Sequence, residues 1–481
     1  MRRGFELLFA PRALLITLLL LPCFGATAAE QRVGEHLFLV RDKPGTSTHF
    51  QMIVGAGCND EIGGECRGVA HYLEHLMLVG RNPEHKEIAL RFFSDGSSNG
   101  WTSQRATAYV HSMPTRENGP RADLEKLFEF YAARLKDFAV SDADAERERN
   151  VVRQEHDWRV ASRPFVRLAR RLDRLLVPDH PSGQWVIGTA KDIDGLTLDQ
   201  ARAFHRAWYV INNVDFVVMA DIEPAALKEI ADRALASLER RALPPRAFAK
   251  QPTIFDGRID ILDQDATIQR PGVYFKKLVR VEEDDVYAIG AVRMLVTNFL
   301  ASRLPGSLYE ALVDKGKVAV GSPSITLARV APKSLTLTIG AAASPDVSPE
   351  TLLAAIADYV NHLASSSLSA DVLARLKTRY SEGQSAADRD PRLVYSRLVG
   401  WLADRNRYEQ LAGFPQRVVA VSPEQLAPVL KALAGPGRIV TGTLTPTRSR
   451  AHELRSRLCS SVCCRGDLDP VPADQRTDHY P

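Results

Sequence analysis

The sequence predicts an α+β protein made of two similar halves. Three observations carry that reading. Short apolar stretches that suit strands alternate with amphipathic segments at helical spacing over most of the chain. A similar order of elements runs twice, once over 30–240 and once over 258–446. Between them, 241–257 is rich in Pro and Arg and reads as a linker. The duplication lies in element order and not in a visible sequence repeat. At 481 residues the chain is long enough for two or three domains, each with its own core.

In the first half, 37–40 and 49–54 read as strands, 68–78 and 84–93 as helices, and 107–113 as a strand. Leu124, Leu127, Phe128, Tyr131 and Leu135 recur at helical spacing, so 124–135 reads as an amphipathic helix. One long, polar, Arg-rich helix is expected over 142–176. An apolar strand at 214–219 follows, and Pro224 opens another helix. In the second half, strands are expected at 259–262, 272–275, 318–326, 335–340 and 439–443. Helices are expected at 286–300, 349–363, 370–386 and 423–433. After Thr447 the periodicity stops, and 447–481 reads as a disordered tail.

Hydrophobic content of 45% and charged content of 25% are those of an ordinary globular protein. The net charge is only +4 and no long basic run is present, which argues against nucleic-acid binding. Residues 1–29 read as a signal peptide. Arg2, Arg3 and Arg12 give a positive start, 13–25 is apolar and uncharged, and Ala26-Thr27-Ala28 sets a cleavage point near Ala28-Ala29. The apolar run is too short to span a membrane comfortably, so no stable membrane insertion is expected. A periplasmic or secreted bacterial protein is expected, and export favours disulfides. Cys58 and Cys66 flank a Gly-rich loop and could pair, while Cys459, Cys463 and Cys464 crowd the tail.

His71-Tyr72-Leu73-Glu74-His75 is the segment that carries chemistry. Two histidines at i and i+4 on a helix share a face one turn apart, which suits two imidazoles on one metal ion. Glu74 lies beside them, within reach of a water at that metal. The order H-x-x-E-H also arises by chance on amphipathic helices, so the rest of the chain has to support it. A catalytic zinc takes three protein ligands and leaves the fourth position open. Glu148 and Glu155 are seven residues apart, two helical turns, and share a face on which Arg147, Arg149 and Arg153 do not lie. On its own such a pair reads as a solvated helix face. It gains weight by following an H-x-x-E-H helix in the same half.

With these motifs the chain resembles the insulinase/pitrilysin-type zinc peptidases, which include the mitochondrial processing peptidases. The resemblance covers about 33–446 and is nearest to short bacterial processing-peptidase-like members. The family motif is H-x-x-E-H, followed about 75 to 80 residues later by a ligand glutamate seven residues after another glutamate. Here His75 to Glu155 is 80 residues. Ser97-Ser98-Asn99-Gly100-Trp101-Thr102-Ser103, with Thr107 and Tyr109, looks like the family's G-x-x-N-A-x-T stretch, with Gly100 where alanine is usual. His180-Pro181-Ser182-Gly183, Gly188-Thr189, and Tyr209 with Asn212-Asn213 follow the family layout.

The resemblance implies two α/β sandwich domains, each an antiparallel sheet covered by helices, which together form half of a clamshell. It implies that His71, His75 and Glu155 bind one Zn2+, that Glu74 is the general base, and that Glu148 orients a ligand histidine. It implies that Asn99, Gly100, Trp101 and Thr102 line the substrate site, where a peptide adds as a strand to a sheet edge. One departure stands out. Members that complete the site in one polypeptide carry an arginine and, seven residues later, a tyrosine. The matching positions here hold Val313 and Val320. The expected function is a zinc-dependent metalloendopeptidase acting on peptides or unfolded segments. The expected partner is a paralogous subunit that supplies the Arg/Tyr pair, or a second copy in a homodimer. The alternative is a non-catalytic peptide-binding or assembly subunit on the same fold.

Overall fold

A computed structural model describes residues 30–43, 45–79, 97–246, 251–364 and 368–447. The expected signal peptide, the helix at 84–93, part of the linker, and the tail with its three cysteines lie outside the described residues.

The first half holds β1 (Glu30–Gly34), β2 (Leu37–Arg41), β3 (Ser47–Val54), β4 (Ser97–Thr102), β5 (Thr107–Pro114) and β6 (Val214–Ala220). They form one sheet in the order β1-β2-β6-β3-β5-β4. The second half holds β7 (Gly257–Asp265), β8 (Gly272–Arg280), β9 (Ala319–Ala331), β10 (Ser334–Ala343) and β11 (Arg438–Pro446), in the order β7-β11-β8-β10-β9. Strands β2 to β6 therefore stand in their sheet as β7 to β11 stand in theirs. The senses match as well. β2 runs parallel to β6 and β7 parallel to β11, and every other neighbouring pair is antiparallel. The expected antiparallel sheets thus each carry one parallel pair. The closing strand of each half returns after a long run of helices, so its sense is not tied to a hairpin.

The described helices of the first half are α1 (Val69–Leu78), α2 (Arg121–Lys136), α3 (Asp142–His156), α4 (Pro164–Leu176), α5 (Ala190–Asp194), α6 (Leu198–Trp208) and α7 (Pro224–Leu235). Those of the second are α8 (Val286–Ala301), α9 (Pro349–His362), α10 (Ala370–Ala387), α11 (Pro391–Ala403), α12 (Phe414–Ala420) and α13 (Pro423–Ala434). The single helix expected over 142–176 is two. A wide turn at Asp157–Ala161 follows α3, and the chain leaves helical geometry at Arg163 (φ −116°, ψ 97°) before α4 begins at Pro164. Proline has no N–H to continue the ladder, and it pushes the residue before it out of the helical region.

That break lets α3 and α4 serve different sheets. One core lies between the first sheet and α1, α2, α6 and α7, with Phe50, Met52, Leu73, Phe128, Phe204 and Ile230 buried in it. A second lies between the second sheet and α8, α9 and α13. The outer faces are covered by exchange. Leu168, Leu172 and Leu176 of α4 pack on Leu278, Val440 and Leu444 of the second sheet. Val394, Leu398 and Leu402 of α11 pack on Phe38, Val40, Val217 and Met219 of the first. Strands covered on both faces read as continuous apolar runs, as β2 and β6 do.

Candidate metal centre

α1 begins at Gly68, whose φ of +90° favours glycine. A side chain there would also strike the Ile187 carbonyl. The Gly-rich loop before the helix is closed by a Cys58–Cys66 disulfide. Within that loop the buried Glu61 turns back to the start of α1. Its carboxylate accepts the N–H of Arg67 at 2.7 Å and of Ala70 at 3.0 Å, so an acid faces the positive end of the helix. Burial still lifts Glu61 to about 7 against those bonds. Leu73 and Leu76 anchor the buried face of α1, and Tyr72 donates to Ala145 O at 2.6 Å, tying α1 to α3.

This docking brings His71, His75 and Glu155 together. Their donor atoms lie within 4.8 Å of one another, and no other such group occurs among the described residues. Glu155 Oε2 is 3.5 Å from His71 Nε2 and 3.2 Å from His75 Nε2. Ligands about 2.0–2.2 Å from a tetrahedral ion stand roughly 3.4 Å apart, and both Glu155–histidine distances suit such an ion. The other oxygen of Glu155 pairs with Arg159 at 2.8 Å. Glu148 Oε2 lies 3.6 Å from His75 Nδ1. Arg149 and Arg153 turn away to Leu196 O and Asp194, but Arg147 does not, since it reaches Glu148 at 3.3 Å.

The charges follow from burial and neighbours. Burial, with His75 beside it, lowers His71 to about 4 and keeps it neutral. Burial also opposes charge on His75, but Glu148 and Glu155 outweigh it and raise it to about 9. Burial acts against ionisation of Glu155 too, and the two histidines with Arg159 still keep it below its ordinary value.

Glu74 faces β4 instead. Its Oε2 accepts the Thr102 hydroxyl at 2.6 Å, and a Cβ at Gly100 would stand 2.5 Å from its Oε1. Burial lifts Glu74 to about 7, with the Thr102 bond opposing. Residues 97–102 form the strand β4 at the edge of the sheet. Gly100 and Thr102 lie on the α1 side. Trp101 alternates to the other face and packs against the cluster under α11. Asn99 Oδ1 accepts the Gly100 N–H at 2.9 Å. All four border a cavity of about 890 Å³ that also touches His71, Glu74, His75 and Glu155.

The far wall of that cavity comes from the second sheet, through Thr326, Thr336, Thr338 and the buried Lys276, which pairs with Asp173. Sequence reasoning missed these residues and Arg159. Threonines and alanine at alternate positions of β9 and β10 were the available signal. Val313 and Val320 do not border the cavity, and Val320 is exposed at the start of β9.

Residues 37–173 match the family model described as Insulinase (Peptidase family M16), and 195–380 match the one described as Peptidase M16 inactive domain. The chain belongs to the insulinase (M16) family. Zinc protease PqqE of Helicobacter pylori is 26% identical over 333 residues, covering 68% of this M16 chain and 71% of that protein. Probable zinc protease PqqL of Escherichia coli is 32% identical over 201 residues, covering 37% of this chain but only 20% of PqqL. The crystal structure of the first half of the periplasmic protease PqqL from Escherichia coli has the same fold, with a TM-score of 0.67 at 19% identity over 92% of this chain and 98% of that one. No described helix is long and apolar enough to cross a membrane.

Proposed function

We propose that this M16 chain is a zinc-dependent metalloendopeptidase that hydrolyses peptides or unfolded segments. One observation carries the reading: a donor set of His71, His75 and Glu155 with a separate buried carboxyl, Glu74, one residue from a ligand and turned toward an edge strand. His71, His75 and Glu155 would hold the ion, and Glu148 would fix the ring of His75. Zinc bound there would polarise the scissile carbonyl and make water more acidic. Glu74 takes a proton from the attacking water and passes it to the leaving amine, and its raised pKa suits both steps. Thr102 holds Glu74 in position, and the outer edge of β4 aligns the peptide as an added strand.

The valines at 313 and 320 support a two-chain enzyme in which a paralogous subunit supplies an arginine and a tyrosine to the substrate. The relation to the first half of PqqL is in keeping with that arrangement. A periplasmic or secreted location fits the leader-like start of the sequence. The match of 195–380 to a domain described as inactive favours one second reading, a peptide-binding subunit without catalysis. The test is peptide hydrolysis by the chain alone and mixed with such a paralogue, with a Glu74→Gln control and metal quantified. Cleavage that vanishes in the control while zinc stays bound supports the peptidase. No cleavage in any mixture with zinc at about one per chain supports the binding subunit.

A further inference from the structure

His111, buried on β5, is not among the donors of the metal centre. It stands directly across from Ser98 in the β4–β5 register, as Tyr109 stands across from Gly100 and Thr107 from Thr102. Side chains alternate along a strand, so Ser98 shares the face on which Gly100 and Thr102 meet Glu74. Ser98 Oγ lies 2.7 Å from His111 Nδ1, and His111 Nε2 lies 2.5 Å from the hydroxyl of Tyr131 on α2. Tyr131 has no exposed surface, while Ser98 is half-buried and borders the cavity over the donor cluster. Burial lowers His111 to about 3, so its ring is neutral at neutral pH and carries a single N–H.

One placement of that hydrogen satisfies both hydroxyls. Among the described residues the Tyr131 hydroxyl has one hydrogen-bond partner, His111 Nε2. A proton on Nε2 would leave the buried Tyr131 O–H without an acceptor, which costs the desolvation of an unpaired polar group. With the proton on Nδ1, Tyr131 donates to Nε2 and Nδ1–H donates to Ser98 Oγ. Ser98 Oγ has no other partner among the described residues, so its own hydrogen is turned to the cavity. We infer that Ser98 is a substrate-binding residue whose hydroxyl donates to a backbone carbonyl of the peptide, and that His111 and Tyr131 position it as a donor. This rests on the reading that the cavity takes a peptide along β4. Ser98 lies two residues from Gly100, about 7 Å along the strand, so it grips the peptide to one side of the bond that faces Glu74.

Two measurements on the full chain test it. The first is a nitrogen–proton correlation spectrum of zinc-loaded chain labelled in its histidines, at neutral pH. The His111 signal is assigned by its shift in Ser98→Ala and its loss in His111→Gln. A neutral ring protonated at Nδ1 is the expected result. A proton on Nε2 overturns the inference, because Ser98 then donates inward to the ring. The second is binding of a fluorescently labelled, unstructured peptide to zinc-loaded Glu74→Gln chain, alone and with a paralogous M16 subunit, so that no cleavage intervenes. Adding Ser98→Ala to that background should weaken binding by about three- to tenfold, with zinc content and melting midpoint unchanged. Equal binding with and without the Ser98 hydroxyl overturns the inference while the peptide reading stands. A Glu74→Gln chain that binds no peptide in either form fails the peptide reading itself, and the inference falls with it wherever the His111 proton sits.

Discussion

Glu74 is held by the Thr102 hydroxyl at 2.6 Å, and Gly100 beside it leaves no room for a Cβ. Thr102→Val would remove the hydroxyl that holds the Glu74 carboxylate at 2.6 Å and let the carboxylate shift. Peptide hydrolysis should fall by about tenfold or more with zinc content unchanged, because misplacement of a base costs rate and not metal affinity. Unchanged hydrolysis would mean that the Thr102 hydroxyl does not position Glu74. Glu61 gives a pH prediction. Its folded pKa, about 7, lies above its ordinary value of 4.5, so its contribution to stability is full below pH 4.5 and is lost as pH rises through 7. Urea midpoints of wild type and Glu61→Gln, compared at pH 5 and 7.5, should favour wild type more at the lower pH. At this scale the i, i+4 histidines and the E-x6-E pair were visible because helix geometry alone puts each pair on one face. Arg159 was legible on the same ground, four residues after Glu155, and was overlooked.

Among the elements, α1 matters most, and the loop before it sets its start. The Cys58–Cys66 bridge spans eight residues and holds Glu61 at the helix N-terminus. Closing so short a loop stabilises by about 2–3 kcal/mol through the unfolded state. Replacing both cysteines by serine should lower urea stability by that amount, and a loss well under 1 kcal/mol would show that the loop is held by its other contacts. The strands and helices of strong periodicity were legible, and so was the order of the two halves. Three features were not. β4 is rich in Ser and Gly, which signal a turn, and it is a strand only because β5 pairs with it along its length. The helix over 142–176 breaks at a proline that polar, Arg-rich surroundings hid. Helices α5, α6, α11 and α12 and strand β1 were also missed, although α6 carries a Thr197/Gln200 capping box and buried residues at helical spacing.

For the whole molecule, the seam is the part that sequence periodicity could least reveal. Each half lends a helix to the other's sheet, and such an exchange depends on packing between residues more than a hundred positions apart. Asp60 sits at that seam with no exposed side-chain surface. It accepts Arg246 Nη1 at 2.9 Å and pairs with Arg405, which follows α11. Asp60→Asn leaves two largely buried guanidinium groups without their counter-charge, so stability in urea should drop by about 3 kcal/mol. A cost near zero would mean that the exchanged helices alone hold the halves together. The central claim is that the α1–α3 donor set makes a metal-dependent peptidase. The most direct measurement is peptide cleavage by the chain with and without a paralogous M16 subunit, in wild type and Glu74→Gln, with zinc counted in each sample. Cleavage lost on Glu74→Gln at unchanged zinc is the predicted result, and zinc-loaded wild type that cuts no peptide in either mixture would contradict it.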